Sequence, residues 1–177
     1  MSTDTLTKSS ETQSVAQGRW QIDPARSRVE FRTPTLWGLT TLKGHFERYE
    51  GSLDLERSPA IELVIDAASL STKNSFRDRH LRSADFFHAD EHPQAILTVT
   101  SARPAGPADL QCQGTLEAAG HVRPVTFTAH IQQATPQAAV LTAELEVDRS
   151  QFGMTWNPLH MASMSAHGTV TARFTRA

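Results

Sequence analysis

TKNSFRDRHLRSADFFHADEHP, residues 72–93, separates the candidate architectures of this chain. It is the one strongly helical segment in a chain that otherwise reads as short strands. The pattern predicts a helix from near Lys73 to about Arg82, with Ser71 or Thr72 as its N-cap. At helical spacing Phe76, His80 and Ala84 share a face, with Leu81 beside them, and Arg77 and Asp78 look outward. Phe86-Phe87 then re-enters the core or lines the entry. A lone short helix among strands is suited to covering one end of a β-structure, with its aromatic face turned down onto it.

Outward from this segment the chain alternates with a period of two. Val29 and Phe31 alternate with charged residues, as do Leu42, Gly44 and Phe46. Leu53 and Leu55 follow a turn expected at Tyr49–Ser52, and Ile61, Leu63 and Ile65 come next. After the helix come Ala95, Leu97 and Val99, then Leu110, Cys112, Gly114 and Leu116, with a turn at Ala119-Gly120. Val125 to Ile131, Leu141 to Val147 and Ala166 to Phe174 complete the set. Each run turns one apolar face inward and one polar face to water. Pro104–Pro107 and Thr135-Pro136 mark surface loops. Eight or nine such strands, without regular helices between them, predict an all-β antiparallel sandwich or up-and-down barrel. The one covering helix together with small inward residues favours the closed barrel of about eight strands. The small inward residues Gly44, Gly114, Gly168, Ala129, Ala143 and Ala172 leave volume that a dense core would fill, so the barrel is expected to be hollow.

The chain has 177 residues and a formal net charge of −2, with no basic run of the kind nucleic acid attracts. Its single cysteine, Cys112, forms no disulfide within the chain and reads as a small inward strand residue. Residues 1–18, rich in Ser, Thr and Gln, read as a disordered or loosely held tail, and residues 19–177 as one domain. No apolar run of signal-peptide length opens the chain, and none reaches the roughly 18 residues of a membrane-spanning helix. A cytoplasmic protein is the expectation, with a periplasmic one left open by the choice of start codon.

Catalytic motifs are sparse. Neither a phosphate-binding glycine loop nor a GxSxG elbow is present. Histidine offers the best case for chemistry. His88 and His92 stand four apart with Asp90 and Glu91 between them, all candidate metal ligands, but Pro93 ends the segment and it reads as a solvated loop. His160 and His167 lie near Met154, Met161 and Met164 at irregular spacing, which fits an apolar lining better than a metal site.

Several segments together resemble one family. They are Trp20-Gln-Ile-Asp23-Pro24-Ala-Arg-Ser27-Arg-Val-Glu-Phe31, Gly44-His-Phe46, Ala68-Ser-Leu70, Asp78-Arg-His80-Leu81 through Asp85-Phe86-Phe87, His92-Pro93, Gly114-Thr-Leu116, and Arg149-Ser-Gln-Phe152-Gly153-Met154. Their order and spacing resemble the YceI-like family of polyisoprenoid-binding, lipocalin-like proteins over about residues 19–176. This chain departs from the common pattern at Arg26, His88 and His92, where the family usually has His, Asp and Tyr.

The resemblance implies a lipocalin-like barrel, often a homodimer, whose apolar tunnel takes an isoprenoid chain, an isoprenoid quinone or a fatty-acyl compound. It implies no catalytic set, no metal and no cofactor apart from the bound lipid. The lining candidates are Phe31, Trp37, Phe46, Phe76, Leu81, Phe86, Phe87, Phe152, Met154, Trp156, Met161 and Met164, with Arg149 or His80 at the mouth to orient a polar head. No nucleic acid partner is expected, and contact with a membrane would be transient. The rival reading is an enzyme acting on a lipid-like substrate through His80, Asp85 or the His88/His92 pair. A third is a partner-binding barrel with a filled interior.

Overall fold

A computed structural model describes residues 14–56 and 60–177. Its β-segments are β1 (Arg19–Ile22), β2 (Arg28–Thr35), β3 (Thr40–Phe46), β4 (Tyr49–Asp54), β5 (Ala60–Asp66), β6 (Leu70–Ser71), β7 (Gln94–Pro104), β8 (Asp109–Ala118), β9 (His121–Ala134), β10 (Ala138–Asp148) and β11 (Ser165–Arg176), with one α-helix, α1 (Ser75–Arg82), before β7. All pairings are antiparallel. β11 pairs with β1 and closes the sheet on itself.

The barrel is a simple meander of eight strands, because three of them are bent. β1 continues into β2, β3 into β4, and β5 into β6, so β11 pairs with β1 at one end and with β2 at the other. Each bend has a chemical cause. At the first, Pro24 has no N–H to give a ladder. The Asp23 side chain accepts from Ala25 N–H, and Ser27 Oγ accepts from Arg173 N–H across the sheet. At the third, Asp66 accepts from Ala68 N–H, and Ser69 Oγ accepts from Arg48 N–H at the second. The backbone groups that leave the ladder therefore remain paired. The turn expected at Tyr49–Ser52 does not exist. Those residues belong to β4, with Tyr49 paired to Ile65, and the chain bends instead at Glu47-Arg48.

The helix also differs from its sequence reading. It starts at Ser75, capped by Asn74, whose side chain accepts from Arg77 N–H. Lys73 has φ 61°, outside the helical region, and Thr72 is held elsewhere. Its N–H and hydroxyl both donate to Asp78, which is buried rather than outward-facing. Phe76 is correspondingly turned to the outside, 79% exposed, and α1 rests on Leu81 and Asp78. The local hydrogen bond decides which face points in, against the aromatic pattern.

One half of the barrel is solid. Trp20, Leu53, Val99, Cys112, Ile131, Ala139, Leu141 and Phe174 pack there, and Arg176 lies over the Trp20 ring. Of the tail expected over residues 1–18, residues 1–13 lie outside the described residues. Ala16, Gln17 and Gly18 each give a carbonyl to a hydrogen bond with the barrel.

Candidate ligand cavity

The half of the barrel under α1 is hollow. A cavity of about 320 Å³ lies there, open at the mouth, within the size range of small-molecule sites. Its wall is built by alternation. β2 contributes Val29, Phe31 and Thr33, β3 contributes Leu42 and Phe46, and β5 contributes Leu63 and Ile65. Ala95 and Leu97 come from β7, Leu116 and Ala118 from β8, Leu145 and Val147 from β10, and Gly168 and Val170 from β11. The helix side adds Arg77, His80, Leu81, Phe86 and Phe87, and residues 149–162 add Arg149, Phe152, Met154, Trp156 and Ala162.

The small inward residues do not all leave space. A Cβ on Gly44 would strike the Phe31 ring, which lies across the strand over that glycine. A Cβ on Gly114 would strike the backbone of Thr98 and Val99, where a bulge crowds β7 against β8. Gly168 alone of the three opens onto free volume, with the nearest heavy atom to its Cβ position 3.9 Å away.

Two aromatic groups shape the cavity. Phe46 packs against Phe31 (5.4 Å between centroids) and edge-on to Phe87 (5.6 Å). At the mouth, His80 stands edge-on to Trp156 at 4.4 Å and to Phe86 at 5.2 Å, and Phe86 meets Trp156 at 6.0 Å. The His80 ring is fixed by a 2.9 Å hydrogen bond between Nε2 and Asp85. These contacts tie the α1 side of the mouth to the segment between β10 and β11.

Arg149 is the buried charge of the wall. Nε donates to the Ser163 carbonyl at 2.9 Å, and Nη1 donates to Met154 at 2.6 Å and Trp156 at 3.2 Å. It therefore stitches the 154–163 segment to the barrel. The guanidinium carbon lies 5.7 Å from the Phe86 ring centre. Burial lowers its proton affinity, and Asp148 partly offsets this. Among the described residues, Nη2 is buried without a hydrogen-bond partner.

The structure brings Phe31, Phe46, His80, Leu81, Phe86, Phe87, Arg149, Phe152, Met154 and Trp156 together around this space. It does not bring Trp37, Phe76, Met161 or Met164 to the wall. Trp37 sits on the loop between β2 and β3 with φ 54° and is 66% exposed. The lining candidates chosen from the sequence omit the aliphatic wall and Gly168. Those residues carry the inward alternation, but alternation reports which face a residue is on and not which end of the barrel it occupies. Among the described residues, His88, Glu91 and His92 form a group able to hold a metal ion, away from the cavity wall.

Comparison with known proteins agrees with this architecture. Residues 20–175 match the family model described as YceI-like domain. Protein YceI of Escherichia coli O17:K52:H18 is 37% identical over 107 residues, covering 58% of this chain and 55% of that protein. A UPF0312 protein of Pectobacterium carotovorum is 31% identical over 120 residues, covering 66% and 62%. The chain thus spans little more than half the length of the curated relatives it matches. Among solved structures, BcnA of Burkholderia cenocepacia superposes with a TM-score of 0.79 at 18% identity, covering 86% of this chain and 98% of that one. A polyisoprenoid binding domain from Saccharophagus degradans gives 0.75 at 13% identity, covering 89% and 98%. Campylobacter jejuni YceI gives 0.72 at 21%, covering 78% and 87%. At these identities the structures speak for the fold.

Proposed function

We propose that this chain, which belongs to the YceI-like family, binds the apolar chain of a lipid, an isoprenoid or a fatty-acyl chain, in its half-barrel cavity and carries or stores it without chemical change. The cavity carries the reading: about 320 Å³ walled by aliphatic and aromatic carbon. The name of the Saccharophagus domain supports an isoprenoid as cargo. Such a tail offers almost no hydrogen-bonding groups, so area and shape must provide its affinity. Each five-carbon unit gains roughly 3–4 kcal/mol on burial, before the cost of ordering the chain. Arg149, with Nη2 unpaired among the described residues, and His80 are the groups suited to a polar head. Native mass spectrometry with organic extraction tests the proposal. A co-purifying lipid, or one-to-one uptake of an added long-chain prenol or palmitate, supports it. A protein that retains neither refutes it.

The surface around the mouth supports a bilayer as the place where cargo is exchanged. Leu36, Trp37, Leu39, Phe76, Trp156 and Leu159 are exposed there. Leu36, Trp37 and Leu159 hold left-handed backbone conformations, which cost roughly 1 kcal/mol or more each and which present their side chains on two adjoining loops. Those loops are joined by Trp37 N–H donating to Met161 O at 3.0 Å. Arg32 faces Lys43 across the ladder below these loops. Neither these two nor Lys73 and Arg79 take part in an ion pair among the described residues. Tryptophan tips with basic flanks fit an anionic membrane surface. Co-sedimentation with phosphatidylglycerol vesicles should fall when Trp37 and Leu39 are changed to serine. Unchanged sedimentation refutes the bilayer, as does a patch that instead joins two copies and leaves vesicles unbound.

A further inference from the structure

The turn that follows the double phenylalanine holds a second group with ligand chemistry. His88, Glu91 and His92 place one donor atom each within 4.8 Å of one another. All three lie on one hydrogen-bonded turn, in which Glu91 N–H donates to the His88 carbonyl at 3.2 Å. His92 N–H closes that turn on the His88 carbonyl at 2.8 Å. His88 Nε2 stands 3.8 Å from a Glu91 oxygen, and the two imidazoles lie 5.5 Å apart at 78°.

The group is held in place from both sides. His88 N–H donates to Ser83 O and Ala89 N–H to Arg82 O, with Ala89 buried beneath. His88 has φ 49°, an uncommon conformation that this anchoring maintains. The His92 ring is seated against Gly120, where a Cβ would lie 2.7 Å from its Cε1. The neighbouring strand turn therefore makes a cradle for the ring.

We propose that His88, Glu91 and His92 form a binding site for a borderline divalent transition metal such as Zn²⁺. Two imidazoles and one carboxylate are ligands of that class, and three protein donors leave a fourth position for water. Ca²⁺ and Mg²⁺ seek all-oxygen shells and are not served by this set. The same turn shares its backbone with Phe86 and Phe87, which line the cavity. Metal binding would therefore stiffen one wall of the cavity without touching it. The site does not depend on what the cavity holds.

Calorimetric titration of the purified chain with Zn²⁺ alone, paired with Co²⁺ absorption spectroscopy, tests it. The expected result is one ion per chain, a visible Co²⁺ band, and a loss of affinity of tenfold or more in His92→Gln. His88→Gln/His92→Gln should lose the band, whereas His130→Gln, at a surface pair with Asp109, should keep it. A Zn²⁺-induced rise in Tm should appear in the parent chain and vanish in the double variant. Equal affinity in the parent and the double variant overturns the site, as does the absence of any saturable binding.

Discussion

Gly168→Leu tests whether the cavity is the binding site, by filling it from a position built to accept a side chain. A Cβ at Gly168 meets nothing nearer than Glu30 O at 3.9 Å, and the residue lines the void. Leucine adds four carbons to the wall, so about four CH₂-sized groups of cargo lose their place. At about 0.8 kcal/mol each the loss is about 3 kcal/mol, or on the order of 200-fold in Kd. Gly168→Ala removes room for one such group and should cost on the order of fourfold. The fold should not suffer, because glycine inside a strand is worth roughly 0.5–1 kcal/mol less than alanine. Both variants should therefore melt at or above the parental Tm. The assay is displacement of a fluorescent apolar probe by a long-chain prenol or palmitate, beside a thermal melt. A folded Gly168→Leu protein whose Kd stays within twofold of the parent would rule out this cavity as the binding site.

Gly114→Ala should do the reverse and destabilise the fold by about 1–3 kcal/mol or more in urea titration, because the new Cβ would collide with the Thr98 carbonyl and press on Val99 Cα. Asp78→Ala strands the buried Thr72 N–H and hydroxyl and should lower stability by about 1–3 kcal/mol, with Asp78→Asn falling between it and the parent. Burial pushes the Cys112 thiol pKa up and keeps it protonated at neutral pH, so a thiol reagent should label it slowly in the native state and fast in denaturant. The Ser150 hydroxyl and N–H hold the Asp148 carboxyl below its ordinary range. A depressed carboxyl contributes stability above its unfolded pKa of about 3.9 and loses it as pH falls through the folded value. The stability gap between the parent and Asp148→Asn should accordingly close only in strong acid, as read from urea midpoints over a pH series.

The motifs that made the family legible in the sequence mostly do architectural work. Asp23-Pro24 with Ser27, and Ala68-Ser69, form two of the bends that let short segments join into long barrel strands. Arg149 and Asp148 fix the crossing from β10 toward the mouth. Asp78 pins the chain ahead of α1. Other members of the same segments line the cavity: Phe31, Phe46, His80-Leu81, Phe86-Phe87, Phe152 and Met154. Such polar residues stand out in a sequence because a bent or irregular backbone needs specific side chains to satisfy it. An aliphatic wall needs only carbon of the right size.

Strand alternation, turn chemistry and the single helix therefore determine, without coordinates, an antiparallel barrel with one end covered, since each depends on residues near one another in the chain. What they do not contain is depth along the barrel axis. Phe127 and Phe31 read alike as inward strand aromatics, yet one lies in the packed core and the other lines the void. Gly114 and Gly168 read alike as small inward residues, yet one is jammed against a bulge and the other opens onto space. The convergence of His80 and Phe86 with Trp156 likewise follows from a contact between distant segments. Only strand register, strand bending and barrel closure set which inward side chains meet, and those are properties of the assembled sheet.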